Sequence, residues 1–251
     1  MAAVASAHAE RRTRAVDLHV ALHEVPLALA DLHHATSVGD EVTIRLRGGG
    51  TDVASRIPDL VVGAGFTVTR AELATDPPTV QATRVRSLPD TVAPDMRLLV
   101  CGLNPSPSAA DAGVGFFRAG NRFWPAALAS GLVTVDRDPR HALTVHAVGM
   151  TDLVKRTTAR ADELSAAEFR VGVERVERLC AWLQPAAVCM VGLAGWRAAV
   201  DRRAVAGPQE RTLGGRPVYV MPSTSGLNAA TSLDDLTTHL DAAAARAGGA
   251  D

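Results

Sequence analysis

Lysine is almost absent: Lys155 is the only one, and arginine carries the rest of the positive charge. With 26 basic against 27 acidic residues the formal net charge is -1. That balance excludes the overall basic character of many nucleic-acid binders, so any DNA-binding surface must be a local patch. Cysteine is scarce too, and Cys101, Cys180 and Cys189 show neither CxxC spacing nor a neighbouring His pair. A monomer therefore lacks the four thiolates of an iron–sulfur cluster, no disulfide framework is expected, and the three read as small core residues. No stretch of about 18 apolar residues is free of charge, which argues against a membrane-spanning helix. In the opening MAAVASAHAERRTR the arginines follow the apolar residues, the wrong order for a signal peptide. A reducing cytoplasm is the expected location.

The 251 residues are 47% hydrophobic, enough for one full domain and a smaller piece. Residues 1 to about 15 read as a fraying start. Val16 to His34 reads as a helix broken near Pro26. Glu41 to Leu46 alternates like a strand, Ile57 to Val62 suits a short helix, and Phe66–Thr69 with Val80–Val85 suggests a hairpin. The Pro-rich LPDTVAPD then marks a boundary between residues 1–90 and 91–251. Beyond it, short apolar runs (Leu98–Gly102, Ala147–Gly149, Ala187–Val191, Val218–Val220) alternate with helical patterns at 121–131, 165–183, 193–200 and 232–247. Such alternation predicts an α/β fold, a mainly parallel sheet covered by helices on both faces, with a small α+β module before it. Ligands bind such sheets at the carboxyl ends of the strands. Two loops there stand out: GLNPSPSAADAGVGFFRAGNRFW and MPSTSGLNAA.

The tetrapeptide Gly102-Leu103-Asn104-Pro105 ends a strand in a tight turn that directs backbone N–H groups and a side-chain amide to one point. Taken alone it is equally a structural Asn-Pro turn. Together, GLNPSPSAADAGVGFFRAGNRFW, GMTDLVKRTT and VYVMPSTSGLNAA, in this order and spacing, resemble the mismatch-specific uracil-DNA glycosylase and thymine-DNA glycosylase family over roughly residues 95 to 245. The resemblance implies a three-layer α/β/α glycosylase that hydrolyses the N-glycosidic bond of a flipped uracil or related base in DNA during base-excision repair. It implies no cofactor or metal, and a monomer is expected. Asn104 matches the family's catalytic asparagine, which holds the attacking water. Phe117 falls where an aromatic stacks on the extruded base, with Phe116 as its rival. Asn121, Arg122, Phe123 and Trp124 match a helix-starting NRFW. Ser223 to Asn228, including Ser225 and Gly226, falls on the loop that pushes a wedge into the gap left by the flipped base, with Leu227 as the wedge. Leu227 also suits plain packing under a loop.

The chemistry of the residues agrees. Glycosidic cleavage passes through an oxocarbenium-like sugar and leaves negative charge on the base. Backbone N–H groups around Leu103 and the loop after it suit that anion, as in an oxyanion hole, with Gly102 and Leu103 counted among the base-binding residues. Asn104 is no base, so its work is to orient water. Lys155 and Arg156, with Arg160, Arg118 and Arg122, suit phosphate contacts or a solvated face. Two residues depart from the family pattern: Ser106 stands where a glycine follows Asn-Pro, and Asp152 stands where Lys or Asn faces the base. Asp152 reads either as a helix N-cap or as an acceptor for the N3–H of uracil, which cytosine lacks.

The N-terminal LHEVPLALADLHHATSVGDEVTIRLRGGG through LVVGAGFTV resembles the C-terminal half of a class I methyltransferase but lacks the glycine-rich cofactor loop. It is expected to be an accessory remnant without S-adenosylmethionine binding, its His33-His34 pair a surface feature rather than a metal site. Two other functions fit the same residues: a catalytically weak module that binds abasic sites or mismatches, and a methyltransferase fragment that still holds a nucleotide-like ligand.

Overall fold

Two runs in this chain, LLVCG and AVCMV, are apolar throughout, the pattern of strands buried on both faces. In the computed structural model, which describes residues 13–47 and 50–248, they are β5 (Leu98–Gly102) and β7 (Ala187–Val191) of the central sheet.

Four strands precede them: β1 (Thr13–Leu18), β2 (Glu41–Leu46), β3 (Phe66–Glu72) and β4 (Thr79–Arg84) form one sheet in the order β1-β2-β4-β3. β1 and β2 are parallel, joined through helix α1 (Val25–His34), while β3 and β4 make the expected hairpin. Val16 to Leu18 is thus strand rather than helix. Its period-two burial is that of an edge strand, and residues 13–15 belong to it; residues 1–12 of the expected fraying start lie outside the described residues. Pro26 does not break α1 but sits in its first turn, where its missing N–H has no helical partner to lose. Helix α2 (Gly50–Gly63) begins well before Ile57, in a stretch whose glycines hide it from a propensity reading.

The central sheet has the order β6-β5-β7-β9-β8, with β6 (Val148–Asp152) and β9 (Val218–Met221) parallel to their neighbours and the two-residue β8 (Gly207–Pro208) antiparallel at the edge. Alternate side chains leave opposite faces. Leu98, Val100, Cys189 and Tyr219 pack with Phe123 and Trp124 of α4 (Phe123–Ala129) and Leu236 and Leu240 of α8 (Leu233–Ala245). Leu99, Cys101, Met190 and Val220 pack with Phe169 and Val176 of α6 (Ala166–Leu183) and Trp196 of α7 (Leu193–Ala199). This is the three-layer α/β/α arrangement. Reciprocal Ser–Glu and Ser–Asp bonds cap α6 (Ser165, Glu168) and α8 (Ser232, Asp235). Two short helices, α3 (Pro107–Ala112) and α5 (Pro139–His146), complete the chain without a signal in the apolar pattern. All three cysteines are buried and free.

The second apolar layer does not stop at the central sheet. Val25, Ile44, Ile57, Phe66 and Val80 of the first 90 residues belong to the same cluster as Leu99 and Val176. Ser87 to Asp90 are buried, and Thr91 exchanges backbone hydrogen bonds with Met150, so LPDTVAPD is structured rather than a loose link. His33 is buried, contrary to the surface expectation: Nδ1 faces the Ala64 carbonyl, and Arg84 reaches its Nε2. Burial foremost, then the Arg84 charge, pushes its pKa down to about 3.

Candidate active site

The carboxyl ends of β5, β6, β7 and β9 converge on a cavity of about 170 Å³, lined by Gly102, Leu103, Asn104, Phe116, Arg118, Asp152, Val191 and Ser223 among others. A dry cavity of roughly 150 Å³ admits one benzene ring, so the space suits a single base rather than a whole nucleotide.

β5 ends at Gly102, and the chain turns through Leu103 to Pro105. Leu153 and Val154, just past β6, donate backbone hydrogen bonds to Gly102 and Leu103 at 2.9 Å each, which fixes this turn beside the end of β6. Among the described residues, no protein acceptor takes the N–H groups of Leu103 and Asn104. The Asn104 amide is oriented by chemistry: its Nδ2 donates to the carbonyls of Arg156 (3.0 Å) and Pro105 (3.2 Å) and to Thr158 Oγ1 (2.7 Å). Carbonyls only accept, so the nitrogen must face them, and Oδ1 is left as an acceptor without a protein donor among the described residues. An acceptor held at one point in a cavity can orient a water. Ser106 caps α3 through a hydrogen bond from the Ala109 N–H (3.3 Å), a role glycine would not fill.

Phe116, not Phe117, lines the cavity. Its left-handed backbone (φ 59°) turns the ring inward to stack on Phe123 at 4.2 Å, whereas Phe117 is 39% exposed beside Arg137. The ring that faces the cavity is thus the rival, Phe116. Asn121 Oδ1 accepts the Phe123 N–H at the start of α4 (2.9 Å), and Trp124 Nε1 donates to Gly115 O (2.8 Å), so NRFW anchors the loop that carries Phe116.

Asp152 ends β6, and the next helical residues begin only at Ala161, which removes the N-cap reading. Its carboxylate makes no side-chain hydrogen bond among the described residues and lies against Gly102. Burial raises its pKa to about 6; Lys155 and Arg175 oppose that rise and Asp90 adds to it.

The basic residues divide. Lys155 is buried, with Nζ 2.8 Å from Asp90 Oδ1, so its ammonium is committed inside the protein and is not a phosphate contact. Arg156 is exposed but bound to Glu168 at 2.7 Å and to the Glu163 carbonyl, and Arg160 pairs with Asp162. Arg122 braces the last loop, donating to the carbonyls of Asn228 (2.6 Å) and Thr231. Arg118 is exposed on the cavity rim and forms no ion pair or side-chain hydrogen bond among the described residues; it lay among the neighbouring arginines in the sequence, with nothing to single it out. Thr158, which holds Asn104, gave no signal of its own in KRTT.

In the last loop Ser223 and Ser225 line the cavity, while Gly226 and Leu227 stand outside it. Asn228 closes the loop through Nδ2 to Ser223 O (2.8 Å) and Thr231 Oγ1 (3.0 Å). A Cβ on Gly226 would meet Gly120 O at 2.8 Å, so the two loops touch. Leu227 is 83% exposed at the rim, without the packing that a merely structural leucine would show.

Among the described residues no group of His, Cys, Asp or Glu is arranged to hold a metal, and no helix is long and apolar enough to cross a membrane. The family model for the uracil DNA glycosylase superfamily matches residues 89–245, the stretch that carries the central sheet and every wall of this cavity except Leu88. The chain belongs to the uracil DNA glycosylase superfamily and is a DNA glycosylase of α/β/α fold.

Proposed function

We propose that this protein is a monofunctional glycosylase of the mismatch-specific uracil- and thymine-DNA glycosylase type, which flips uracil out of DNA and hydrolyses its N-glycosidic bond. The observation that carries this reading is the placement of Asn104: an amide clamped through its nitrogen, with its oxygen unspent, at the mouth of a cavity sized for one ring. Phe116 stacks on the base, and the free N–H groups of Leu103 and Asn104 stabilise the departing anion. The Asp152 carboxylate accepts the uracil N3–H and rejects cytosine. Leu227 fills the gap in the duplex, and Arg118 takes over the phosphate role first assigned to Lys155.

A second reading of Asp152 is favoured by its raised pKa and by a carboxylate without a hydrogen-bond partner among the described residues. Among the described residues it is the only acidic side chain lining the cavity, and a carboxylate titrating near 6 suits a general base toward the attacking water. We further propose that the enzyme acts as a cytoplasmic monomer. The first 90 residues are read as a methyltransferase-derived piece that does not bind S-adenosylmethionine; the loop from β1 to α1 contains no glycine.

The test is incubation with duplexes carrying a single uracil, thymine or cytosine opposite guanine. Release of free uracil but not cytosine supports the proposal. Tight binding without release would make the protein a recognition module, and calorimetric binding of S-adenosylmethionine would overturn the reading of the N-terminal piece.

A further inference from the structure

Beneath the cavity lies a buried ion cluster that the reading of the site leaves unused. Asp90, from the segment before β5, receives Lys155 Nζ at 2.8 Å and Arg175 Nη1 at 2.7 Å, with Thr151 Oγ1 at 2.7 Å. The same Arg175, on α6, donates through Nη2 to Thr151 Oγ1 (2.9 Å) and to the backbone carbonyl of Asp152 (2.8 Å). Gly172 lets α6 come this close: a Cβ there would lie 2.3 Å from Leu153 O. Two cations and one anion thus sit behind a second anion, Asp152. Charges are taken out of water at high cost, and a cluster without further bonds would only destabilise the fold. This one is tied to the last strand residue before the base.

The cluster is closed from the other side by α2. Gly63 O accepts the Asp90 N–H at 2.9 Å, and a Cβ on Gly63 would fall 2.4 Å from Asp90 Oδ2 and 3.0 Å from Arg175 Nη1. The helix end that seals the cluster lies outside the superfamily match, which begins at residue 89.

We propose that Asp90, Lys155 and Arg175 are positioning residues that hold the end of β6 and the Asp152 carboxylate against the base, and that the N-terminal piece, through Gly63, completes this unit. The inference rests on the reading that Asp152 faces the base. The groups facing Asp152 have opposing effects on it: Lys155 and Arg175 favour its charged form, Asp90 disfavours it, and Cys101 of β5 lies alongside. Burial works against the charge on Asp90 itself, but Arg175 and then Lys155 outweigh it and hold its carboxyl below the usual range.

The experiment follows the Asp152 carboxyl directly, by carbon NMR titration of the full chain labelled at aspartate, with Asp152→Asn identifying the resonance. Asp90→Asn should lower its midpoint and Lys155→Met should raise it, each by about one pH unit. The double variant, which removes the anion and a cation together, should return toward the wild type and keeps the test open where a single variant fails to fold. Gly63→Ala, outside the cavity lining, should also move the midpoint. A generic packing role would lower the melting temperature in every variant without opposite shifts. Midpoints that stay put, or move with the same sign, overturn the proposal. If they shift as expected and the pH profile of uracil excision does not follow, the cluster's hold on Asp152 stands and the base-facing reading of Asp152 falls.

Discussion

Gly102 and Asp152 are direct partners in the parallel ladder of β5 and β6, and a Cβ on Gly102 would lie 2.4 Å from Asp152 Oδ1 and 3.5 Å from the Phe116 ring. Glycine here makes room for the carboxylate. Gly102→Ala must therefore displace the Asp152 carboxylate, and misplacing site groups by about 1 Å costs on the order of 100-fold in rate. Single-turnover excision should fall at least about 10-fold with an unchanged circular dichroism spectrum. Wild-type activity would show that the carboxylate's place does not matter.

Asp152→Asn keeps the shape, removes the charge and adds a donor. A fixed negative charge beside a departing anion slows departure, so the variant should release uracil at least as fast as the wild type at pH 8. Its rate should depend less on pH between about 5 and 8, the range around a raised carboxyl pKa. Discrimination against cytosine should weaken. A folded variant that no longer releases uracil would make Asp152 the proton acceptor instead. Stability gives an independent check. The folded pKa of about 6 lies above the unfolded value of about 3.9, so the ionised carboxylate costs stability that is absent below about pH 4 and complete above about pH 6. Asp152→Asn should raise the melting temperature at pH 7.5 and leave it unchanged at pH 4.

Leu227→Ala should weaken excision from duplex DNA more than from single-stranded DNA, because only the duplex leaves a gap to fill. Equal loss on both substrates would remove the wedge role.

A chain starting at Pro89 would bare the face of the apolar cluster that Val25, Ile44, Ile57 and Phe66 now cover, together with Asp90 and Arg175. It should be insoluble or molten on expression, as judged by gel filtration and near-UV circular dichroism. A soluble, active product would show that the N-terminal piece is dispensable.

The sequence made the central sheet legible because β5 and β7 are buried on both faces and read as unbroken apolar runs, and the two site loops because Gly, Pro and Asn cluster at strand ends. Three things were hidden for physical reasons. Adjacent Phe116 and Phe117 look alike until a positive φ at 116 decides which ring turns inward. Lys155 beside Arg156 reads as a basic patch, since its carboxylate partner lies 65 residues earlier. The shared core of the two parts is a tertiary fact that a Pro-rich segment disguises as a linker.

The central claim is that Asn104 positions the water for base release while other groups hold the DNA. Its most direct test is single-turnover release of free uracil from a labelled duplex by wild type and Asn104→Ala, with gel-shift affinity measured on the same preparations. The account predicts release by the wild type, a loss of at least about 100-fold in the variant, the scale expected when a preorganised site group is removed, and little change in affinity. Near-normal release by Asn104→Ala would contradict it.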